Sequence, residues 1–190
     1  MDLNSLMSLF GENEVGAMSN KLGVDKAQTA SVLQGAVPAI LSALQGNAQG
    51  KKGEKSLFNA LSKDHDGSIL DNLTGFIDNP ESGNGKGILK HTLGSRRTSV
   101  EGMLSAKSGM DSGSIGKILE MAAPVIMGFL GKQQTQNNVS QSGIGSLISS
   151  VLGGNDSNSG GGMDIGDIAS MFIGKKKGGI AGFLGGLLGR

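Results

Sequence analysis

Three features of the chain predict an all-α fold: the residues available for a core, the spacing of the apolar ones, and a gapless internal repeat. Tyr and Trp are absent, and Phe occurs six times in 190 residues. A core must therefore come from Leu, Ile, Val, Met and Ala. The scarcity of aromatic residues, Val and Thr argues against extensive sheet. The large apolar residues recur at intervals of three and four, which marks a helix face and not a strand. Finally, residues 15–44 align with residues 101–130 at an offset of 86, with ten identities in thirty positions. A fixed-offset match of that density reads as a duplicated structural unit.

Each copy of the repeat reads as a helix pair. A short first helix ends at Gly23 or Gly109, where a glycine in the left-handed conformation closes a helix. Asp25 and Asp111 then stand at N-cap positions. Gln28 completes a capping-box-like Asp-x-x-Gln in the first copy only. The second helix carries Leu33, Ala36, Val37, Ile40, Leu41 and Leu44 on one face. Its counterpart carries Leu119, Ala122, Ala123, Ile126, Met127 and Leu130, and adds Ile118, Met121, Val125 and Phe129 on other faces. A helix apolar nearly all round belongs at the centre, so 114–130 is the expected core. Pro38 and Pro124 fall inside these helices, and each predicts a kink or break.

Between the copies lie shorter helical pieces. Leu57, Phe58 and Leu61 mark one, Ile69, Leu70, Leu73, Phe76 and Ile77 a second, and Ile88, Leu89 and Leu93 a third. Breakers at 65–67 and 78–85 separate them. The expected architecture is an irregular multi-helix domain of about eight helices over 1–133, built on two pseudo-repeat helix pairs. A polar linker rich in Gly, Ser and Asn follows at 134–162, with a short helix at 143–152. A Gly-rich helical segment at 163–190 closes the chain.

The stretch GILKHTLGSR (87–96), followed by APVIMGFLGK (123–132), resembles the bacterial domain-of-unknown-function family 937. The resemblance covers about residues 3–133. Lys90 departs from the family pattern, which has a glycine before the histidine. The resemblance implies a helical fold and brings no activity with it.

Composition narrows the function classes. Seventeen basic and sixteen acidic residues leave a net charge of +1, with no global pull toward nucleic acid or anionic lipid. No cysteine is present, so neither a disulfide nor a thiolate zinc site can form. MDLNSLMSLF lacks a basic n-region, which points away from a secretory signal and toward the bacterial cytoplasm. No run of eighteen apolar residues occurs, so no ordinary membrane-spanning helix is expected.

Candidate chemistry is sparse. His91 is the histidine that the resemblance picks out; a capping or buried structural role fits it better than catalysis, since no adjacent carboxylate orients it. Asp64, His65 and Asp66 could touch a divalent ion, but neighbours in sequence point apart, and a turn with an N-cap is the plainer reading. GNGKG (83–87) fails the P-loop pattern, because residue 80 is Pro and Lys86 is followed by Gly87. It leaves a weak anion site at a helix N-terminus, or a simple connection. Lys86, Lys90, Arg96, Arg97 and Lys107 against Glu101 make a local charge of +4. With no aromatic among them, a solvated face is a better reading than a nucleic-acid footprint. No catalytic constellation stands out. The expectation is no enzyme activity, no cofactor and no metal.

After residue 142 the character changes, with 15 glycines in 48 residues. Three apolar stripes share one i, i+3, i+4, i+7, i+8 spacing. They are Ile144, Leu147, Ile148, Val151 and Leu152; then Ile165, Ile168, Ala169, Phe172 and Ile173; then Ile180, Phe183, Leu184, Leu187 and Leu188. Gly174, Gly178, Gly182 and Gly186 recur every fourth residue, a small-residue ladder that allows two backbones to approach closely. Each glycine in a helix costs about 0.8–1 kcal/mol relative to Ala. Burying an apolar side chain returns about 1.5–3 kcal/mol. The last segment should therefore be helical only when something covers its stripe. It is too short to span a membrane, since residues 178–189 make about 18 Å of helix against ~30 Å of hydrocarbon. The sequence expectation is a protein of unknown function, most simply a non-enzymatic helical interaction or scaffold protein associating with itself through this tail. The alternative is a peripheral protein of the membrane surface or envelope, with Lys175, Lys176 and Lys177 among lipid headgroups.

Overall fold

Among residues 2–153, those that the computed structural model describes, every regular element is helical. Nine α-helices follow one another: α1 (Leu3–Met7), α2 (Glu12–Leu22), α3 (Lys26–Asn47), α4 (Lys51–Lys63), α5 (Leu73–Asp78), α6 (Gly85–Thr92), α7 (Arg97–Ser108), α8 (Ser112–Gln136) and α9 (Ile144–Val151). Single 3-10 turns at Ser68–Asn72, Pro80–Gly83, Gly94–Arg96 and Gln141–Gly143 connect some of them. The fold is all-α, as the apolar spacing predicts.

The core is organised around α8. Residues 121–131 of that helix are buried without a gap. α3 packs along it, and α4, α6, α7 and α9 cover its remaining sides. α3 is the second buried helix, with Val32, Leu33, Val37, Ile40 and Leu41 at 1% exposure or less. Both helices pass a length-and-apolarity test for crossing a membrane, yet about three-quarters of each apolar window is buried inside the protein. Their apolarity on all faces serves the core.

The two stretches aligned at an offset of 86 use the same local devices. Gly23 and Gly109 end α2 and α7 at φ of 66° and 71°. Asp25 accepts the Gln28 backbone N–H at 2.9 Å, and Asp111 accepts that of Ser114 at 3.0 Å. Each carboxylate thereby satisfies one of the orphan donors at a helix start. The expected capping box does not close. The Gln28 side chain instead donates to the Ser108 carbonyl at 3.1 Å, reaching from the start of α3 to the end of α7. The amide nitrogen is committed to a distant carbonyl, which draws the side chain away from the Asp25 N–H that it would accept from in a capping box.

Of the kink or break expected at each proline, the break does not occur. α3 runs 22 residues through Pro38, and α8 runs 25 through Pro124. A proline cannot donate to the carbonyl four residues earlier. For Pro38 that carbonyl belongs to Gln34, an exposed residue open to water. For Pro124 it belongs to Glu120, and α6 begins directly on it. Gly85, the first residue of α6, lies so close that a methyl group there would overlap the Glu120 carbonyl oxygen. Gly83 sits equally tight against Pro124 and Phe76.

A second close approach lies at the other end of α8. A methyl on Gly131 would overlap the His65 carbonyl oxygen, and one on Gly128 would clash with Ile69. Gly67, at φ 98°, faces Lys132 and the Gly128 carbonyl. The loop after α4 thus lies backbone to backbone on α8, which only glycine permits.

The folded body continues past residue 133, where the polar linker was expected to begin. α8 extends to Gln136, and buried Gln134 donates to Ser62 of α4 at 2.6 Å. After Asn137–Gly143 the chain returns as α9, whose Ile144, Ile148 and Val151 are at most 1% exposed. A polar sequence here marks buried hydrogen bonding as well as solvent.

Gly131→Ala should lower stability by at least about 2 kcal/mol, because the methyl has no space beside the loop backbone. Gly102→Ala, in the exposed middle of α7 with open space around it, should raise stability by about 0.5–1 kcal/mol. Urea midpoints of the two variants check both signs, and equal effects would contradict the packing described.

Candidate functional site

Two sequence candidates that are nearly twenty residues apart meet in one cleft. Asp64, His65 and Asp66, from the end of α4, and Gly83 and Asn84, before α6, border a cleft of about 650 Å³. Asn72, Asn79, Ser68 and Ser82 complete its polar wall, with Phe76 and Pro124 at its base. Most of this polarity is occupied by turn chemistry. Asp66 accepts the Ser68 N–H at 2.9 Å, Asn72 accepts that of Gly75 at 3.0 Å, and Ser82 donates to the Asn79 carbonyl at 2.8 Å. These bonds fold the connections between short helices. Among the described residues no group of three or more His, Asp or Glu could hold a metal ion.

His65 is half-buried in this cleft. Burial pushes its pKa below the ordinary 6.5, against the opposing pull of Asp64 and Asp66. Gly85, which the sequence offers as part of an anion loop, instead provides close contact with the Glu120 carbonyl. Asn84 before it takes the left-handed conformation at φ 51°. The pairing of Gly85 with the Glu120 carbonyl, which Pro124 leaves out of the helix ladder, was the missed signal. A glycine opening a helix and a proline inside another gain meaning only once they are adjacent.

The basic region resolves into separate roles. His91 is exposed in the last turn of α6, beside Lys90, so of the capping or buried role expected for it the buried one is not found. There the two face the partial negative charge of the helix end. It is the His91 carbonyl that accepts a hydrogen bond, from Asn47 at 3.1 Å. Arg97 is tied down: Nε donates to Glu101 at 2.7 Å and Nη2 to Glu120 at 2.8 Å, joining α7 to α8. Burial alone would lower its pKa, but the hydrogen bonds to Glu101 and Glu120 outweigh it and hold the guanidinium above its ordinary value. One cation between two carboxylates leaves no positive charge there for phosphate. Arg96 stands half-buried at the turn before α7.

A third site lies at the C-terminal end of the body. α9 sits in a socket made by α3, α4 and α8. Gln45 of α3 donates to Ser149 of α9 at 2.8 Å. A hollow of about 390 Å³ separates Gln133, Asn137 and Val139 from Ser146, Leu147 and Ser150. Ser42 Oγ, Gln45 Oε1 and Gln134 Oε1, at the same ends of α3 and α8, are buried without a protein partner among the described residues. Each such atom costs about 1–3 kcal/mol of desolvation. The three apolar anchors of α9 contribute about 1.5–3 kcal/mol each.

Residues 4–133 match the family described as "Bacterial protein of unknown function (DUF937)". The chain belongs to this family. No curated protein and no solved structure matches it. The DUF937 match ends before α9, so the socket is made by helices of the matched region and filled by a helix beyond it. The interaction residues expected from sequence, Ile180, Phe183, Leu184, Leu187 and Leu188 with Gly174, Gly178, Gly182 and Gly186, lie outside the described residues.

His65 carries a pH prediction. Its folded pKa is depressed, so the unfolded chain takes up the proton first as pH falls through 6.5. Its contribution is complete above that value and is lost as pH drops toward the folded pKa. The carboxyls of Asp2, Asp66 and Asp111 are held below 3.8 by hydrogen bonds from Ser5, Ser68 and Ser114. Their contribution is lost only at still lower pH. The urea midpoint of the parent chain should fall between pH 7 and 5, and that of His65→Asn should fall less. Parallel profiles would refute the assignment.

Proposed function

We propose that this DUF937 protein is a non-enzymatic helical interaction protein of the bacterial cytoplasm that associates with itself through residues C-terminal to its folded body. One observation carries the reading. Of three stripes with the same spacing, the first is a helix seated on the α3–α4–α8 surface by Ile144, Ile148 and Val151. The stripes at 165–173 and 180–188 repeat its i, i+3, i+4, i+7, i+8 pattern and have the same need for a covering surface. The crowding of α8 by glycine-mediated contacts supports a rigid body that presents such surfaces.

Truncation after residue 153, which keeps α9, tests this. Light scattering should give an assembled mass for the full chain and a monomer mass for the truncated one, with helical circular dichroism retained. A full chain that is monomeric at all concentrations overturns the proposal.

A second reading is attachment to a membrane surface, favoured by Lys175, Lys176 and Lys177 directly before the last stripe. The peptide 163–190 should then gain helicity on anionic vesicles and lose it in high salt. A flat titration counts against this reading.

A further inference from the structure

The stripe that seats α9 occurs a second time with its polar position intact. IGDIASMFIG (165–174) aligns without a gap to IGSLISSVLG (144–153) at an offset of 21. Ile144 and Ile165, Gly145 and Gly166, Ser149 and Ser170, and Gly153 and Gly174 are identical pairs, while Leu147 and Leu152 meet Ile168 and Ile173. The serine is the informative position. Ser149 takes the hydrogen bond from Gln45 that ties α9 to α3, and Ser170 would present the same oxygen at the same helical register. Of the buried anchors, Ile148 and Val151 become Ala169 and Phe172. These two positions are one turn apart on one face. A smaller side chain therefore lies beside a larger one, close to the volume-conserving exchange that cores tolerate. The last stripe fits less well. Gly185 stands where the serine should be, and Gly182 and Gly186 lower the helix propensity of that stretch.

We propose that residues 165–174 are a second key to the α9 socket, and that the socket they enter belongs to another copy of the chain whose α9 has opened. The proposal rests on the self-association reading and gives it a surface. The short connector Asn137–Gly143 keeps α9 at high effective concentration over its own socket. α9 is therefore a plug as well as a part of the fold, and its local opening limits assembly.

The chain contains no cysteine, so Gln45→Cys with Ser149→Cys introduces two thiols alone. The long Gln45 side chain bridges the gap to Ser149, so a short, reducible bis-thiosulfonate linker is a safer closure than a direct disulfide. Chains bridged internally should be monomeric by light scattering at concentrations where the unbridged variant assembles, and reduction should restore assembly. Ser170→Asp with Phe172→Asp, beyond the described residues, should also give monomers, and it decides the matter alone if the cysteine variant does not fold. A bridged chain that assembles like the unbridged one, or an Asp variant that assembles like the parent, overturns the socket. If truncation after residue 153 still abolishes assembly in that case, self-association stands and only the docking surface falls. A parent chain that never assembles removes both proposals.

Discussion

The fold depends on how closely backbone can approach α8. Two elements lie directly on that helix, α6 through Gly85 at the Glu120 carbonyl and the loop after α4 through Gly131 at the His65 carbonyl. A Cβ at either glycine would push the neighbouring element outward. At the first contact, Pro124 also matters, because it frees the Glu120 carbonyl from the helix ladder and leaves it available to the incoming chain. The high glycine content is, in this part of the molecule, a packing device. With Phe10, Phe76 and Phe129 as its buried aromatics and no Tyr or Trp, a core mostly of Leu, Ile, Val, Met and Ala reaches interior density by bringing backbones together.

Around that centre, polar side chains make the specific joints. Gln28 joins the start of α3 to the end of α7, Arg97 joins α7 to α8 through two carboxylates, and Gln134 joins α8 to α4. Each uses a buried or half-buried donor and, the local Arg97–Glu101 bond apart, an acceptor far away in sequence. Such bonds are costly to leave unmade, so they select one arrangement of helices whose apolar faces could otherwise slide. The C-terminal ends of α3 and α8, where α9 packs, are the exception: Ser42 Oγ, Gln45 Oε1 and Gln134 Oε1 have no hydrogen-bond partner among the described residues. A region of incomplete polar satisfaction, covered by a short helix, is where exchange of one helix for another costs least.

Much of the architecture was legible in the chain because helix periodicity and capping are local. The αL glycines, the Asp caps and the buried face of α8 need only neighbours within about four residues. The cleft and the socket were not legible, for a physical reason. Asp64–Asp66 and Gly83–Asn84 become one site only after α8 aligns them, and the Gln133–Gln136 stretch reads as linker until Gln134 finds Ser62. Within the basic patch, which reads as a solvated face, the pairing of Arg97 with Glu120 was not legible, since that carboxylate is twenty-three residues away.

By itself, the sequence determined the all-α class, the ends of α2 and α7, the starts of α3 and α8, and the three matched stripes, because spacing and backbone preference act over a single turn. Only the tertiary structure decided that Pro38 and Pro124 leave their helices unbroken and that the Gln28 side chain reaches to the end of α7. It also decided that His91 is exposed while His65 is half-buried, and that the first stripe belongs to the folded body. Those outcomes depend on which surface arrives opposite each group, and that is set by the packing of helices around α8.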